Sequence, residues 1–299
     1  MRDVSRDRYF IVSGQSVRLS TVVHTLAPGD SNALRDGRVF IDGQRADESV
    51  RDVRPGSQVT WYAARPVTSA IGDLEFRILD RRNNLVIVAK PAHWSSEPDR
   101  SGRQMSLQEQ VSRRLNLRNL HVATRLDAGV SGLVIIAIGE AACQFCSNLQ
   151  SRRMINKDYL AIALGDVTEN VRWDTPVDGK KIALTVCHRL AISGPVRFSR
   201  DDVTAASLLR LEASTGRHHQ IRIHTSTNGN PLLGDRRYGG PMQYVRSDGT
   251  VRTIVRPMLH AWRLSIPWED GDWTTVCPLP DDMRNLWADL GGRDLWPES

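Results

Sequence analysis

The sequence predicts an α+β protein: a mixed, mainly antiparallel sheet with flanking helices and loops, preceded by a small α+β unit. Three observations predict it. Strand-like apolar runs bounded by turn residues outnumber helical stretches, and the helical stretches lie far apart along the chain. Residues 63–72 hold Pro, Ser and Ala without periodicity and separate a short front unit from a longer remainder. Regular strand–helix alternation, the mark of a doubly wound parallel sheet, is missing. The expected division is residues 1–66 and 67–299. A chain of 299 residues with 40% hydrophobic and 25% charged side chains is long enough for such a pair and has a core to bury.

In chain order, Tyr9 to Tyr62 reads as one unit. Val17–Leu26 is amphipathic, and a second short helix is expected over Asn32–Asp36. VFIDGQRADE places Val39 and Ile41 before the turn signal Asp42-Gly43, which predicts a tight hairpin. RPGSQVTWYA adds a Pro-Gly turn and a closing strand. Beyond Leu74, FRILD and NNLVIVAKP read as two strands split by the turn Arg81-Arg82-Asn83-Asn84. SLQEQVSRRL has apolar residues at helical spacing, with Ser106 as N-cap. Leu133–Ile138 is a continuous apolar run, expected as a buried strand. EAACQFCSNLQ predicts a helix, and DYLAIALG the strand after it. GRHHQIRIHTS alternates, so it reads as a strand with Ile221 and Ile223 on one face and Gln220, Arg222 and His224 on the other.

The charge balance of +6 and a pI near 9.4 favour polyanionic partners. Only Lys90, Lys157, Lys180 and Lys181 among the 40 basic residues are lysine. Arginine suits bidentate phosphate contacts and stacking on bases, although an arginine-preferring genome gives the same composition. Four cysteines (Cys143, Cys146, Cys187, Cys277) in a chain of this length make no disulfide framework. The charged N-terminus lacks a signal-peptide core, and no run reaches the length of a membrane span. A cytoplasmic monomer, not bound to a membrane, is expected.

The chemistry centres on TRLDAGVSGLVIIA, where Asp127 follows Arg125 and precedes Gly129 and Gly132. A guanidinium from Arg125, or one delivered by the Ile221–Ile223 segment, would keep Asp127 ionised, since such pairing lowers an Asp pKa by roughly 1–3 units. An ionised carboxylate serves as nucleophile or base and is a poor general acid. No second carboxylate stands at fixed spacing, which argues against paired-acid glycoside hydrolysis. Cys143 and Cys146 share a helix face, but no second cysteine pair completes a zinc site. On a strand, His219 points away from His218 and His224, and no acid ligand accompanies them. No metal is therefore expected; these histidines are read as contacts to a polyanionic partner or as supports for their neighbours.

Five segments in this order resemble the RluA family of RNA pseudouridine synthases: NLVIVAKP, TRLDAGVSG, INKDYLAIALG, TGRHHQIRIHTSTNGNPLLGDRRYG and MLHAWRLSIPW. RVFIDGQRADESVRDVRPGSQV resembles the alpha-L RNA-binding motif often fused to that family. The resemblance implies that Asp127 is the catalytic aspartate, Arg222 the arginine paired with it, and Tyr159 the aromatic that packs on the target base. It implies that Arg125 fills the gap left by the everted uridine, with Lys157, Arg217 and Gln220 in support. It implies an isomerase that turns uridine into pseudouridine without redox cofactor or metal, acting on structured RNA, ribosomal RNA first and transfer RNA next. Two positions depart from the family pattern. Thr124 replaces a histidine and is expected to remove a hydrogen bond that shapes the loop, and Val130 replaces a threonine. The alternative readings are a catalytically silent RNA-binding or ribosome-assembly factor on the same fold, and a hydrolase that releases free uracil.

Overall fold

The apolar run Leu133–Ile138 becomes part of an interior strand of a ten-stranded sheet. The computed structural model describes residues 8–30, 33–34, 39–42, 44–46, 50–61, 76–98, 105–177, 182–198, 203–293 and 295–297. The chain divides into two compact units, one of residues 1–74 and 97–110, the other of residues 75–96 and 111–299. The expected boundary at residues 63–72 lies outside the described residues, as does most of the short helix expected over Asn32–Asp36.

In the smaller unit, strands Arg8–Ile11, Gln58–Trp61, Val39–Ile41 and Gln44–Arg45 form an antiparallel sheet in that order. The predicted hairpin is present, with Phe40 opposite Arg45 and Ile41 opposite Gln44. Asp42 takes the left-handed conformation at φ 49°, which Asp tolerates better than most residues, and its carboxylate accepts the Gln58 N–H at 2.8 Å. Helix α1 (Leu19–Leu26) buries Leu19, Val22, Val23 and Leu26 in one cluster with Val39, Val53 and Val59. The i, i+3, i+4, i+7 spacing of those four residues is what places them on one face.

The larger unit carries the main sheet. Its strands are β1 (Arg77–Arg82), β2 (Leu85–Lys90), β3 (Leu120–Val122), β4 (Ser131–Ile138), β5 (Asn156–Leu164), β6 (Val171–Trp173), β7 (Thr185–Ile192), β8 (Ala206–Ala213), β9 (Leu259–Trp268) and β10 (Gly271–Val276). The order is β6-β7-β8-β5-β9-β4-β2-β1, with β10 paired to β9 and β3 to β4. Every pairing is antiparallel except β4 with β9, where Ser131 lies opposite His260 and Gly132 opposite Ala261. The fold class is thus α+β with a mixed, mainly antiparallel sheet. Among the described residues, no helix is long and apolar enough to cross a membrane.

Helices α2 (Leu107–Leu115), α3 (Glu140–Ser151), α4 (Gln220–Thr227) and α5 (Asp281–Asp289) complete the fold. The Ser106 hydroxyl accepts the Glu109 N–H at 3.4 Å, as its reading as N-cap requires. Ala142, Cys146 and Leu149 of α3 close over Leu133, Ile135 and Ala137. Along β5 the side chains alternate: Leu160 and Ile162 join Met283 and Leu286 of α5, while Tyr159, Ala161 and Ala163 join Ile221 of α4.

Helix α4 corrects one expectation. GRHHQIRIHTS is not a strand; residues after Arg217 turn and wind into α4. Gln220, Ile221, Arg222, His224 and Thr225 are all buried, at i, i+1, i+2, i+4 and i+5, so adjacent residues are buried together in a way that strand alternation does not allow. The segment imitates alternation because its polar side chains are as buried as its apolar ones, so its hydrophobicity carries no helical stripe.

Candidate active site

Asp127 lies in the turn that leads into β4, and the loop after β2 clamps that turn from both sides. The Ser96 hydroxyl accepts the Leu126 N–H at 2.9 Å and donates to the Leu126 carbonyl at 2.9 Å. The His93 N–H donates to the Ala128 carbonyl at 2.7 Å. Lys90 is buried and spreads its three donors over the carbonyls of Trp94 (2.7 Å), Pro91 (3.0 Å) and Ala128 (3.3 Å). Burial, helped by the Arg256 charge, pulls its pKa down to about 7, while Asp127 acts in the opposite sense. The turn is therefore fixed at Leu126 and Ala128, the residues on either side of the acid.

Gly132 explains why a glycine follows so closely. Its φ is +117°, and a Cβ there would overlap the backbone of Ala261 on the neighbouring parallel strand. The sheet itself demands this glycine. Next to it, Ser131 Oγ lies 2.9 Å from His260 Nδ1, and His260 Nε2 lies 3.3 Å from the Cys277 carbonyl. Burial holds the His260 pKa down to about 4, so it ties β4, β9 and the chain after β10 as a neutral imidazole.

Thr124 contributes a hydrogen bond of its own to the strand ladder. Its buried hydroxyl accepts the Ile135 N–H at 3.0 Å, extending the β3–β4 ladder toward the Asp127 turn. Thr124→Val leaves that N–H unpaired in the core and is expected to lower unfolding stability by about 1–3 kcal/mol. Thr124→Ser should lose much less; equal losses in urea titrations would show that packing, not the hydroxyl, matters.

Helix α4 delivers Arg222 to this turn. Its Nη1 donates to Asp127 Oδ2 at 3.0 Å. Its Nε and Nη2 bind Asp235 in a bidentate pair at 2.6 and 2.8 Å. Burial opposes the guanidinium charge, but the bonds to Asp235 and Asp127 more than offset it, and the pKa is raised. Arg222 is buried and Asp235 is 1% exposed, so the pair is desolvated and geometrically fixed. Reading the sequence missed Asp235. Its only signal in the sequence is a lone acid after Gly234 in TGRHHQIRIHTSTNGNPLLGDRRYG.

His219, the N-cap of α4, sits on the other side of Asp127. Its backbone is left-handed at φ 55°. Nε2 lies 3.5 Å from Asp127 Oδ2, and Nδ1 lies 2.8 Å from the Tyr238 hydroxyl. Burial pulls its pKa down to about 4, only partly countered by Asp127, so the ring is neutral near pH 7. The Tyr238 ring also receives Arg222, whose Cζ stands 5.0 Å from its centroid. Both Asp127 contacts fall on Oδ2. Among the described residues, Oδ1 makes neither a hydrogen bond nor an ion pair.

Tyr159 joins through a β-bulge between Asp158 and Tyr159 where β5 pairs with β9, a device that re-aims a side chain. It shares a buried cluster with Val130 and Ile221, neighbours of Asp127 and Arg222 in the chain. Burial, then the negative charge of Asp127, raises its pKa, so the phenol stays un-ionised. Arg125 is exposed two residues before the acid. Lys157 is half-buried on β5 opposite Leu264, and burial pulls its pKa down to about 8. Arg217 is exposed, its N–H bonded to Gln220 Oε1 at 3.2 Å. The Gln220 amide is wholly engaged, with Thr215, Arg217, Leu184 and Thr185, so it holds the loop before α4. His224 is likewise a strut, bonded to Thr185 Oγ1 and the Thr175 carbonyl at 2.9 Å each.

The arrangement offers a carboxylate with one oxygen held by a guanidinium and the other without a partner among the described residues, beside a neutral phenol. Comparison with known proteins places it. A family model described as RNA pseudouridylate synthase matches residues 84–227, which contain Asp127, Tyr159 and Arg222. The ribosomal large subunit pseudouridine synthase D of Pseudomonas aeruginosa is 30% identical over 93% of this chain and 92% of its own. The uncharacterized RNA pseudouridine synthase YhcT of Bacillus subtilis is 28% identical over 83% of this chain and 78% of its own. The solved structure of human RNA pseudouridylate synthase domain containing 1 shares the fold, with a TM-score of 0.56 and 23% identity over 75% of this chain and 91% of that one. The chain belongs to the RNA pseudouridylate synthase family, the isomerases that convert uridine to pseudouridine in RNA.

Proposed function

We propose that this enzyme modifies uridine in ribosomal RNA, with Asp127 acting on an everted nucleotide, Arg222 holding its charge and Tyr159 packing on the base. The observation that carries the assignment is Asp127 itself: a clamped, guanidinium-paired carboxylate whose Oδ1 has no partner among the described residues. The isomerisation breaks the bond from ribose C1′ to N1, turns the base and joins C1′ to C5. The C5 proton then leaves and N1 gains one, so nothing is oxidised and no water is consumed. An ionised carboxylate suits nucleophilic attack or removal of a ribose proton, and both need the target outside its stack. Eversion costs a few kcal/mol, least in a loop or distorted helix, and Arg125, exposed beside the acid, is suited to fill the gap.

Ribosomal RNA is favoured by the name of the Pseudomonas relative and by the net charge of +6. We assign RNA binding to the front unit, residues 1–66, and catalysis to residues 67–299. Carbodiimide mapping of pseudouridine in total RNA, from cells with and without this gene, tests the substrate. The expected result is loss of one or more sites in ribosomal RNA. Loss confined to transfer RNA would overturn the ribosomal assignment, and an unchanged map would remove the activity from this chain in the cell.

A further inference from the structure

Read as a strand, GRHHQIRIHTS separates His219 from His218 and supplies no acid beside them, and both points tell against a metal. The fold removes both. His218 and His219 precede α4 in a turn, with rings stacked at 3.7 Å and 22° between planes. Asp127 arrives from the β4 turn, and one donor atom from each of the three residues lies within 4.8 Å of the others.

We propose that His218, His219 and Asp127 form a binding site for a borderline divalent cation such as Zn2+, and that its occupation inhibits the enzyme. Donors around a tetrahedral zinc with bonds of about 2.0–2.1 Å stand roughly 3.3 Å apart. The His219 Nε2–Asp127 Oδ2 separation of 3.5 Å is long for a hydrogen bond but close to that bite. The Tyr238 hydroxyl on His219 Nδ1 fixes the ring from behind, the support that metal-binding imidazoles commonly receive. His218 is exposed and stacked on His219, so a small ring movement brings its nitrogen to the same point and leaves a fourth position for water. Two imidazoles and one carboxylate select zinc and its neighbours over Mg2+ or Ca2+, which require oxygen ligands.

The nearby cation is compatible with this charge. Arg222 is shared between Asp127 and Asp235, so that trio carries one net negative charge, and Arg237 lies over Tyr238 with its Cζ 5.7 Å from the ring centroid. Inhibition rests on the role proposed for Asp127; binding does not. A bound cation engages the carboxylate that the reaction needs, and RNA and metal then compete for it.

The test uses the full chain, freed of metal with a chelator and titrated with Co2+. One equivalent should give the visible ligand-field bands of a four-coordinate ion, and Zn2+ should abolish them. In His218→Asn, Co2+ affinity should fall at least about tenfold, since even an outer support costs that much. The zinc concentration that halves turnover should rise by a similar factor, each protein being compared with its own metal-free rate. A variant that binds Co2+ and responds to Zn2+ as the parent does, or a parent without bands, overturns the site. Bands that depend on His218, with turnover indifferent to Zn2+, would instead overturn the role of Asp127 and the inhibition.

Discussion

Asp127→Asn should reduce pseudouridine formation at least about 10³-fold, the scale seen when a reacting side chain is removed, while RNA affinity changes only a few-fold. The substitution is nearly isosteric, and the Asn oxygen still accepts from Arg222 Nη1, now 3.0 Å from Oδ2. The clamp on the turn also survives, because Ser96 and His93 hold the backbone of Leu126 and Ala128 and not the carboxylate. Arg222 keeps its bidentate partner Asp235, so the fold loses little. What disappears is the negative charge, and with it the capacity to attack carbon or accept a proton. Affinity rests largely on phosphate contacts by the basic side chains, which the substitution leaves in place. Single-turnover assays and filter binding on the same RNA separate the two effects. Parental turnover in the variant would take Asp127 out of the reaction, and a collapse of binding with it would mean that the carboxylate organises the RNA-binding surface.

The parts of this site that were legible in the sequence are those whose signal is local. Leu133–Ile138 is apolar at every position because β4 is covered on both faces, and EAACQFCSNLQ shows a helical stripe because α3 lies on the sheet with its other face in water. Arg222 and Asp127 are 95 residues apart, and no periodicity links them; the order of motifs did. Alternation failed at α4, because a helix that buries Gln220, Arg222 and His224 beside Ile221 has no polar face. That error also hid the histidine–aspartate cluster, since the strand reading separates the rings that the helix cap stacks. Asp235 was illegible for a related reason. A buried acid is identified by its partner, and its partner is supplied by a different element. The role of Thr124 was hidden in the same way: its hydroxyl supplies a backbone hydrogen bond that a list of residue types cannot reveal.

Arg222→Met should destabilise the larger unit by about 3–5 kcal/mol, the usual cost of removing one partner from a buried ion pair. Asp235, 1% exposed, would be left buried with no guanidinium to bind, whereas Asp127, with a side chain 23% exposed, can turn to water. The loss should therefore come from Asp235. Adding Asp235→Leu removes that stranded carboxylate, and the double variant should regain most of the lost stability, as apolar replacement of buried ion pairs commonly does. Every tryptophan except Trp61 belongs to the larger unit, so fluorescence-detected urea unfolding reads the right transition. Turnover should stay lost in both variants, because neither returns a cation to Asp127 Oδ2. Recovery of stability without recovery of turnover would assign Arg222 to holding the charge of Asp127. Recovery of both would reduce Arg222 to a scaffold residue, and a double variant as unstable as the single one would move the cost to the loss of packing around α4.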